Sequence, residues 1–146
     1  MTYSAGIIPY RFNNNGDVEF FVGHPGGPFW HDKDYWALLK GRRNKDESAE
    51  SCAIREFQEE SGITLTDNEK SKIWYLGFVK QRKDKIVSAF ALEKPDINPD
   101  VCYSNMADNC EWPEIDKYAW MELNEVVAKT HPTNIFFFQH IAECSR

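Results

Sequence analysis

The sequence predicts one domain of mixed α/β (α+β) class over residues 1–146, on three observations. Short runs rich in β-formers, bounded by Gly, Pro, Asn and Asp, recur along most of the chain. Two of them, residues 73–80 (IWYLGFVK) and 85–93 (KIVSAFALE), are parted only by residues 81–84 and read as an antiparallel hairpin. Such a hairpin argues against a purely parallel, doubly wound sheet. Helical stretches lie between and after the strands, and neither a repeat nor a linker marks a boundary.

Composition narrows the function classes. With 42% apolar and 27% charged residues, the chain has the balance of a soluble globular protein that buries a full core. Its first residues lack the basic and apolar regions of a signal peptide, and no apolar run approaches a membrane span. The expected location is therefore cytoplasmic, with no membrane partner. A net charge of −6 argues against nucleic acid as a partner, yet leaves small phosphorylated ligands that need only local cations. Cys52, Cys102, Cys110 and Cys144 form no C-x-x-C pair, so free thiols are expected, not zinc or disulfides. His24, His31, His131 and His140 make no ligand set and read as surface or loop residues. Nothing in the sequence fixes an oligomeric state.

Taken in order, residues 4–11 (SAGIIPYR) and 17–24 (DVEFFVGH) read as strands joined by an Asn-Asn-Asn-Gly turn. Pro9 suggests that the first is an edge strand or carries a bulge. Residues 24–34 (HPGGPFWHDKD) form a Gly/Pro loop whose Phe29 and Trp30 either wall a ligand site or fold back over the core. Residues 35–39 (YWALL) read as a short strand, followed by the cations Lys40, Arg42, Arg43 and Lys45. That run is either solvated surface charge or a means of neutralising phosphate oxygens. Residues 94–112 are irregular, and loops of that length are usually either functional or disordered, the functional reading being favoured here. They deliver Glu111, Trp112 and Glu114 to a strand at 117–122 (KYAWME). Two helices close the chain: residues 123–129, and residues 132–144, which begin near Pro132 and present Ile135, Phe136, Phe138, Gln139 and Ile141.

The most informative stretch is residues 41–63, GRRNKDESAESCAIREFQEESGI. A helix is expected from an N-cap at Asp46 or Ser48 to a C-terminal Gly62, with Ala49, Cys52, Ala53 and Phe57 facing the core. At about 100° per residue, Glu56, Glu59 and Glu60 share one sector of that helix and repel each other. Such clusters are ordinarily solvated acidic faces. Here, however, Glu56 and Glu60 align with Ala49, Cys52 and Ala53, opposite Ser51, Arg55 and Gln58, so two carboxylates point inward and need a partner or a metal. A hard divalent cation with oxygen ligands supplies one.

The spacing of Gly41, Glu47, Arg55-Glu56-Phe57, Glu59-Glu60 and Gly62-Ile63 resembles the Nudix box of the Nudix hydrolase superfamily. Phe57 departs softly from the more usual aliphatic residue, and Asp46 stands where many members carry glycine. The HPGGPFW loop and the Trp112-Pro113 to Trp120 region are further similar to bacterial-type members predicted to be nucleoside triphosphate pyrophosphohydrolases. The resemblance implies an α/β/α sandwich around a mixed sheet. It also implies hydrolysis of a pyrophosphate bond in a nucleoside diphosphate linked to another moiety, with Mg²⁺ or Mn²⁺ as cofactor. Glu56, Glu59 and Glu60 would be metal ligands together with the Gly41 carbonyl, and Arg55 would pair with Glu47 to brace the loop. For the general base, Glu114 is the first choice and Glu111 the second, with Glu56 or Glu59 as alternatives.

Lys40, Arg42 and Arg43 are the candidate phosphate contacts, and Trp112, Trp30, Phe29 and Tyr3 the candidate base stackers. Stacking accepts every base, so it does not name the substrate. A nucleoside triphosphate or a dinucleoside polyphosphate is favoured, although the tyrosine of many dinucleoside polyphosphate hydrolases is not clear here. The proline of many ADP-ribose pyrophosphatases is absent, which leaves ADP-ribose a weaker alternative. A diphosphoinositol polyphosphate would need Arg42, Arg43, Lys45, Lys80, Arg82, Lys83 and Lys85 to converge. A catalytically idle nucleotide-sensing module would have no need of all three box glutamates.

Overall fold

Strand β1 (Thr2–Phe12) is the axis of the fold, because seven consecutive residues, 4 to 10, are buried. A computed structural model describes residues 1–145. β1 pairs antiparallel with β2 (Val18–Pro25) and with β3 (Leu39–Arg42), and parallel with β5 (Lys85–Glu93). β4 (Trp74–Arg82) and β6 (Ile115–Glu122) complete a mixed sheet of order β4-β5-β1-β2-β6, with β3 attached to β1 off that path. The expected edge placement of β1 is therefore corrected. Pro9 sits where β1 has left β3, whose last pair is Ile7 with Leu39, and has not yet met β2 at Tyr10 with Phe20. On that side no ladder partner asks for the missing N–H.

Helix α1 (Ala49–Ser61) covers one face of the sheet. Its Cys52, Ala53 and Phe57 pack with Ala5, Ile7, Phe21 and Leu39. After the single-turn α2 (Asp67–Lys70), α3 (Leu123–Lys129) and α4 (Ile135–Cys144) cover the opposite face, where Phe137, Phe138 and Ile141 meet Ile8, Phe20, Val22 and Val87. The result is the expected α/β/α sandwich. Phe138 is fully buried and meets Phe20 edge-on with ring centroids 5.1 Å apart. Phe138→Ala is expected to cost about 3–5 kcal/mol of stability, measurable as a lower urea midpoint at unchanged slope.

Two further expectations shift. Residues 35–39 are not a strand. Ala37 makes one bridge to Gly23, and β3 begins only at Leu39, where it crosses Gly6 so closely that an added Cβ would lie 2.3 Å from the Leu39 carbonyl oxygen. The chain from 132 opens as a 3₁₀ turn (Pro132–Asn134) before α4, and the buried face of α4 is Phe137, Phe138, Ile141 and Ala142. Phe136 and Gln139 are turned outward. Helix α2 opens on a Thr66-x-x-Glu69 capping box, both of whose hydrogen bonds form. Among the described residues, no helix is long and apolar enough to cross a membrane. The four cysteines are free thiols.

Candidate active site

The geometry of the site begins with the ends of α1. Ser48, not Asp46, caps the helix by accepting from the Ser51 N–H, and Gly62 ends it in the left-handed region at φ 79°. Asp46 is itself left-handed, at φ 65°, which only Gly, Asn and Asp adopt readily. A glycine at this position would serve the same backbone. Between these ends Glu56 and Glu60 are buried, at 9% and 5% exposure, and Glu59 is half-exposed. The inward pair anticipated from the helical wheel is thus present.

Arg55 ties the site together. Its Nε and Nη2 donate to both carboxylate oxygens of Glu47, at 2.8 and 2.9 Å, and Nη2 also donates to the Arg42 carbonyl at 3.0 Å. Its Nη1 donates to Glu56 at 2.8 Å and to Glu59 at 3.2 Å. The guanidinium therefore braces the loop ahead of α1, as expected, and also links two candidate metal ligands. Arg55 pulls the Glu47 carboxyl down to about 2. The inward carboxyls move the other way. Burial pushes Glu60 up to about 9, helped by the charges of Glu56 and Glu114, and burial also raises Glu56.

Gly41 lies against this cluster. A Cβ there would fall 2.0–2.3 Å from the Glu56 carboxylate atoms, so glycine is what permits the approach. Cys52 Sγ donates to the Gly41 carbonyl at 3.5 Å, and the Lys40 backbone N–H donates to Glu60 at 3.2 Å. Burial raises the Cys52 thiol to about 11, so it stays protonated. Among the described residues, no three His, Cys, Asp or Glu side chains converge closely enough to grip an ion as they stand. The residues nonetheless fit a hard divalent cation. The donors are all oxygen, the buried Glu60 carboxylate lies outside the contacts of Arg55 while Glu56 shares that cation with Glu47 and Glu59, and the Gly41 backbone is within reach.

Opposite the helix, the loop after β5 brings in Glu114. The Asn105 N–H donates to the Glu59 carbonyl at 2.8 Å, and the Glu114 N–H donates to the Asn105 carbonyl at 2.9 Å. Its carboxyl is raised by burial, then by the charge of Asp108, and its own charge acts on Glu56 and Glu60. Glu111 is exposed on the same loop and does not line the cavity that Glu114 lines. That cavity, of about 270 Å³, collects Phe29, Trp30, Trp112 and Glu114. Trp30 stacks on Tyr35 at 4.6 Å, and Phe29 meets Trp30 edge-on at 4.8 Å. The two glycines of the HPGGPFW loop allow the closure, since a Cβ on Gly27 would sit 2.5 Å from the Trp112 indole nitrogen.

The cations divide. Burial, then the nearby Lys85 charge, lowers Lys40 to about 8, and the Glu60 and Glu56 charges act on it. Arg42, Arg43 and Lys45 instead line a cleft of about 570 Å³ with residues 1–3. There the Arg43 guanidinium covers the Tyr3 ring at 4.9 Å, which takes Tyr3 away from the aromatic cavity. Lys80, Arg82, Lys83 and Lys85 lie on the β4–β5 hairpin and do not line this cleft. The convergence that a diphosphoinositol ligand needs is not found there.

His24 is also corrected. It is buried in β2 at 2% exposure, with Nδ1 2.7 Å from the Asp116 carboxylate and Nε2 2.7 Å from the Lys33 carbonyl. It thereby joins β2 and β6 to the aromatic loop. His140 lies on α4, where its Nδ1 is 3.0 Å from the Leu76 carbonyl. Two residues of the site carried no sequence signal. Asn105 acts through its backbone, and the Tyr118 hydroxyl donates to the Glu60 carbonyl from β6. Only the fold brings either one to α1.

Comparison with known proteins adds the family. A family model described as NUDIX domain matches residues 2–140. The mRNA-decapping protein g5R of African swine fever virus, isolate Warthog/Namibia/Wart80/1980, is 31% identical over 110 residues, covering 68% of this chain and 43% of the viral protein. The same protein from strain Badajoz 1971 Vero-adapted is 32% identical over 99 residues, covering 62% and 38%. The chain thus spans less than half the length of these relatives. Among solved structures, a C. elegans Ap4A hydrolase binary complex superposes with a TM-score of 0.70 at 20% identity, covering 98% of this chain and 96% of that one. The NUDIX domain of Shewanella oneidensis NrtR complexed with ADP ribose gives 0.69 at 13% identity, covering 99% and 88%. At these identities the two structures share its fold.

Proposed function

Because this chain belongs to the NUDIX domain family, we propose that it is a metal-dependent pyrophosphohydrolase acting on a nucleoside diphosphate linked to another moiety. A nucleoside triphosphate or a dinucleoside polyphosphate is the favoured substrate. The observation that carries this reading is the gathering of Glu56, Glu59 and Glu60 on α1 within electrostatic reach of Glu114, which itself lines an aromatic-walled cavity.

Glu56, Glu59, Glu60 and the Gly41 carbonyl would hold Mg²⁺ or Mn²⁺. Bound there, such an ion would neutralise phosphate oxygens and acidify a water. The protein's own groups do the rest. Phe29, Trp30 and Trp112 offer faces for a base, and Lys40 adds positive charge beside the glutamates. Arg55 keeps α1 locked to the loop at Glu47, so the ligands stay in register with Gly41. The Glu114 carboxylate, raised by burial, takes the proton from the attacking water and releases it as product leaves. Arg42 and Arg43, in the separate cleft, would touch only a longer anionic substrate.

A second reading has its own support. The viral relatives are named mRNA-decapping proteins, and the cleft of Arg42, Arg43 and Lys45 could receive a phosphate backbone beyond a cap. One assay separates the readings. Nucleoside triphosphates, dinucleoside polyphosphates, ADP-ribose and capped RNA are each incubated with Mg²⁺ or Mn²⁺, and the products are resolved by chromatography. Cleavage within the phosphate chain of the free nucleotides, with little of capped RNA, is expected. Preferred release of the cap, reduced by Arg43→Glu, would install the second reading. Metal-dependent nucleotide binding without turnover of any of them would point to an idle sensing module.

A further inference from the structure

The aromatic cavity at Phe29, Trp30 and Trp112 lies on one side of the loop that follows β5. A second cavity, of about 460 Å³, opens on the other side of the same loop against α1. Its wall includes Gln58, Glu59, Thr64, Tyr103, Ser104 and Asn105. Glu59, a proposed metal ligand, is therefore one of its boundaries, and the volume falls in the range of small-ligand sites.

Tyr103 is the unexplained feature of this cavity. It is 69% exposed, which core packing does not require. It is nonetheless fixed in place. Its N–H donates to the Ser61 carbonyl at 3.2 Å, and two residues on, the Asn105 N–H donates to the Glu59 carbonyl. One side of its ring lies on Gly62, where an added Cβ would come within 2.5 Å of a ring carbon. The rest of the ring faces out. An aromatic plate held by its backbone and seated on a glycine is preorganised for stacking, with little freedom left to lose on binding. Gln58 and Thr64, both exposed beside it, offer hydrogen-bonding groups that a base edge can use.

We infer that Tyr103 forms a second nucleobase subsite, which takes the nucleoside on the far side of the scissile phosphate chain. The inference rests on the pyrophosphohydrolase reading and narrows it to a substrate with a base at each end, a dinucleoside polyphosphate. One base enters the Phe29–Trp30–Trp112 cavity beside Glu114, and the other lies on Tyr103 beside Glu59. The connection Glu59–Asn105–Glu114 holds the two cavities at a fixed separation, so the subsite discriminates by the length of the phosphate chain as well as by its far end. A substrate with one base fills only one of the two.

The test compares diadenosine tetraphosphate with ATP on the full chain in Mg²⁺, for the wild type, Tyr103→Ala and Tyr103→Phe. Tyr103→Ala is expected to lower the ratio of kcat/KM for diadenosine tetraphosphate over ATP by about tenfold, mainly through KM, in line with the loss of one stacked base. Tyr103→Phe keeps the ring and should keep the ratio. An unchanged ratio in Tyr103→Ala, with a native melting temperature, overturns the subsite. If the wild type cleaves neither compound, the hydrolase reading fails, and titration calorimetry with methylene-bridged analogues of both compounds decides the subsite alone. A tenfold weaker two-base analogue in Tyr103→Ala, relative to the one-base analogue, then sustains it. Equal changes in both affinities, or no binding of the two-base analogue, overturn it.

Discussion

Glu59→Gln is expected to lower kcat by about 10²–10³-fold at saturating Mg²⁺ while leaving the melting temperature within a few degrees of wild type. Glu59 is the half-exposed member of the trio and holds Arg55 only at 3.2 Å, so the amide keeps shape and a hydrogen bond but forfeits the charge. Steady-state kinetics over a Mg²⁺ series should show the loss persisting at saturation, since part of it lies in charge presented to the transition state. A variant within threefold of wild type at every Mg²⁺ concentration would sink the assignment of this helix to catalysis. Gly41→Ala probes the same point from the backbone side. Its methyl would fall on the Glu56 carboxylate, so either the carboxylate or β3 must move.

The second large effect is thermodynamic and concerns Glu60. Its ordinary value of 4.5 is raised to about 9 by burial, then by Glu56 and Glu114. A carboxyl raised in the folded state binds a proton there that the unfolded chain has already released. Stability is therefore full below the unfolded value and falls as pH rises from 4.5 toward 9. Without metal, the melting temperature should decline across pH 5–7, a window in which Lys40, at about 8, remains largely charged. A divalent ion needs these carboxylates ionised, so the stabilisation it gives should grow with pH. At about 100-fold above its Kd, linkage supplies about 2.7 kcal/mol, or about 5–10 °C for a chain of this size. Glu60→Gln should flatten the metal-free slope and shrink the Mg²⁺ increment together. A metal-free melting temperature that rises with pH, or a Mg²⁺ increment untouched by Glu60→Gln, would contradict this account of the site.

Much of the local structure was open to reading in the chain. The β5 bounds, α3, and the start and end of α1 follow from turn residues, capping chemistry and the period of apolar positions. The inward placement of Glu56 and Glu60 follows from their alignment with Ala49, Cys52 and Ala53 on the helix. Local pattern and structure part where a partner strand or a loop decides the outcome. Pro9 suggested an edge, yet β1 is central because the proline falls in the gap between two partner strands. YWALL has strand composition, yet Tyr35 is drawn to Trp30, and the Trp36 N–H donates to Lys129, before pairing begins at Leu39. His24 passed as a loop residue because neither acceptor that buries it is near in sequence: Lys33 is nine residues away and Asp116 ninety-two.

The local chemistry is written in the chain: a helix whose spacing puts carboxylates on its buried side, entered past a glycine. Helical periodicity and backbone conformation act within a few residues, so such features are written contiguously. Which groups face that helix was decided only by tertiary structure. Position in the chain favours Glu114 over Glu111, and the fold puts Glu114 in the aromatic cavity and leaves Glu111 exposed. Arg42 and Arg43, adjacent to Gly41 in the chain, were carried by β3 to a different cleft. Tyr103, Asn105 and Tyr118 reached α1 through a loop and a strand more than forty residues downstream. Contacts of that kind depend on which strands pair and how a loop closes over them, and both are set by the sum of the core, not by any local pattern.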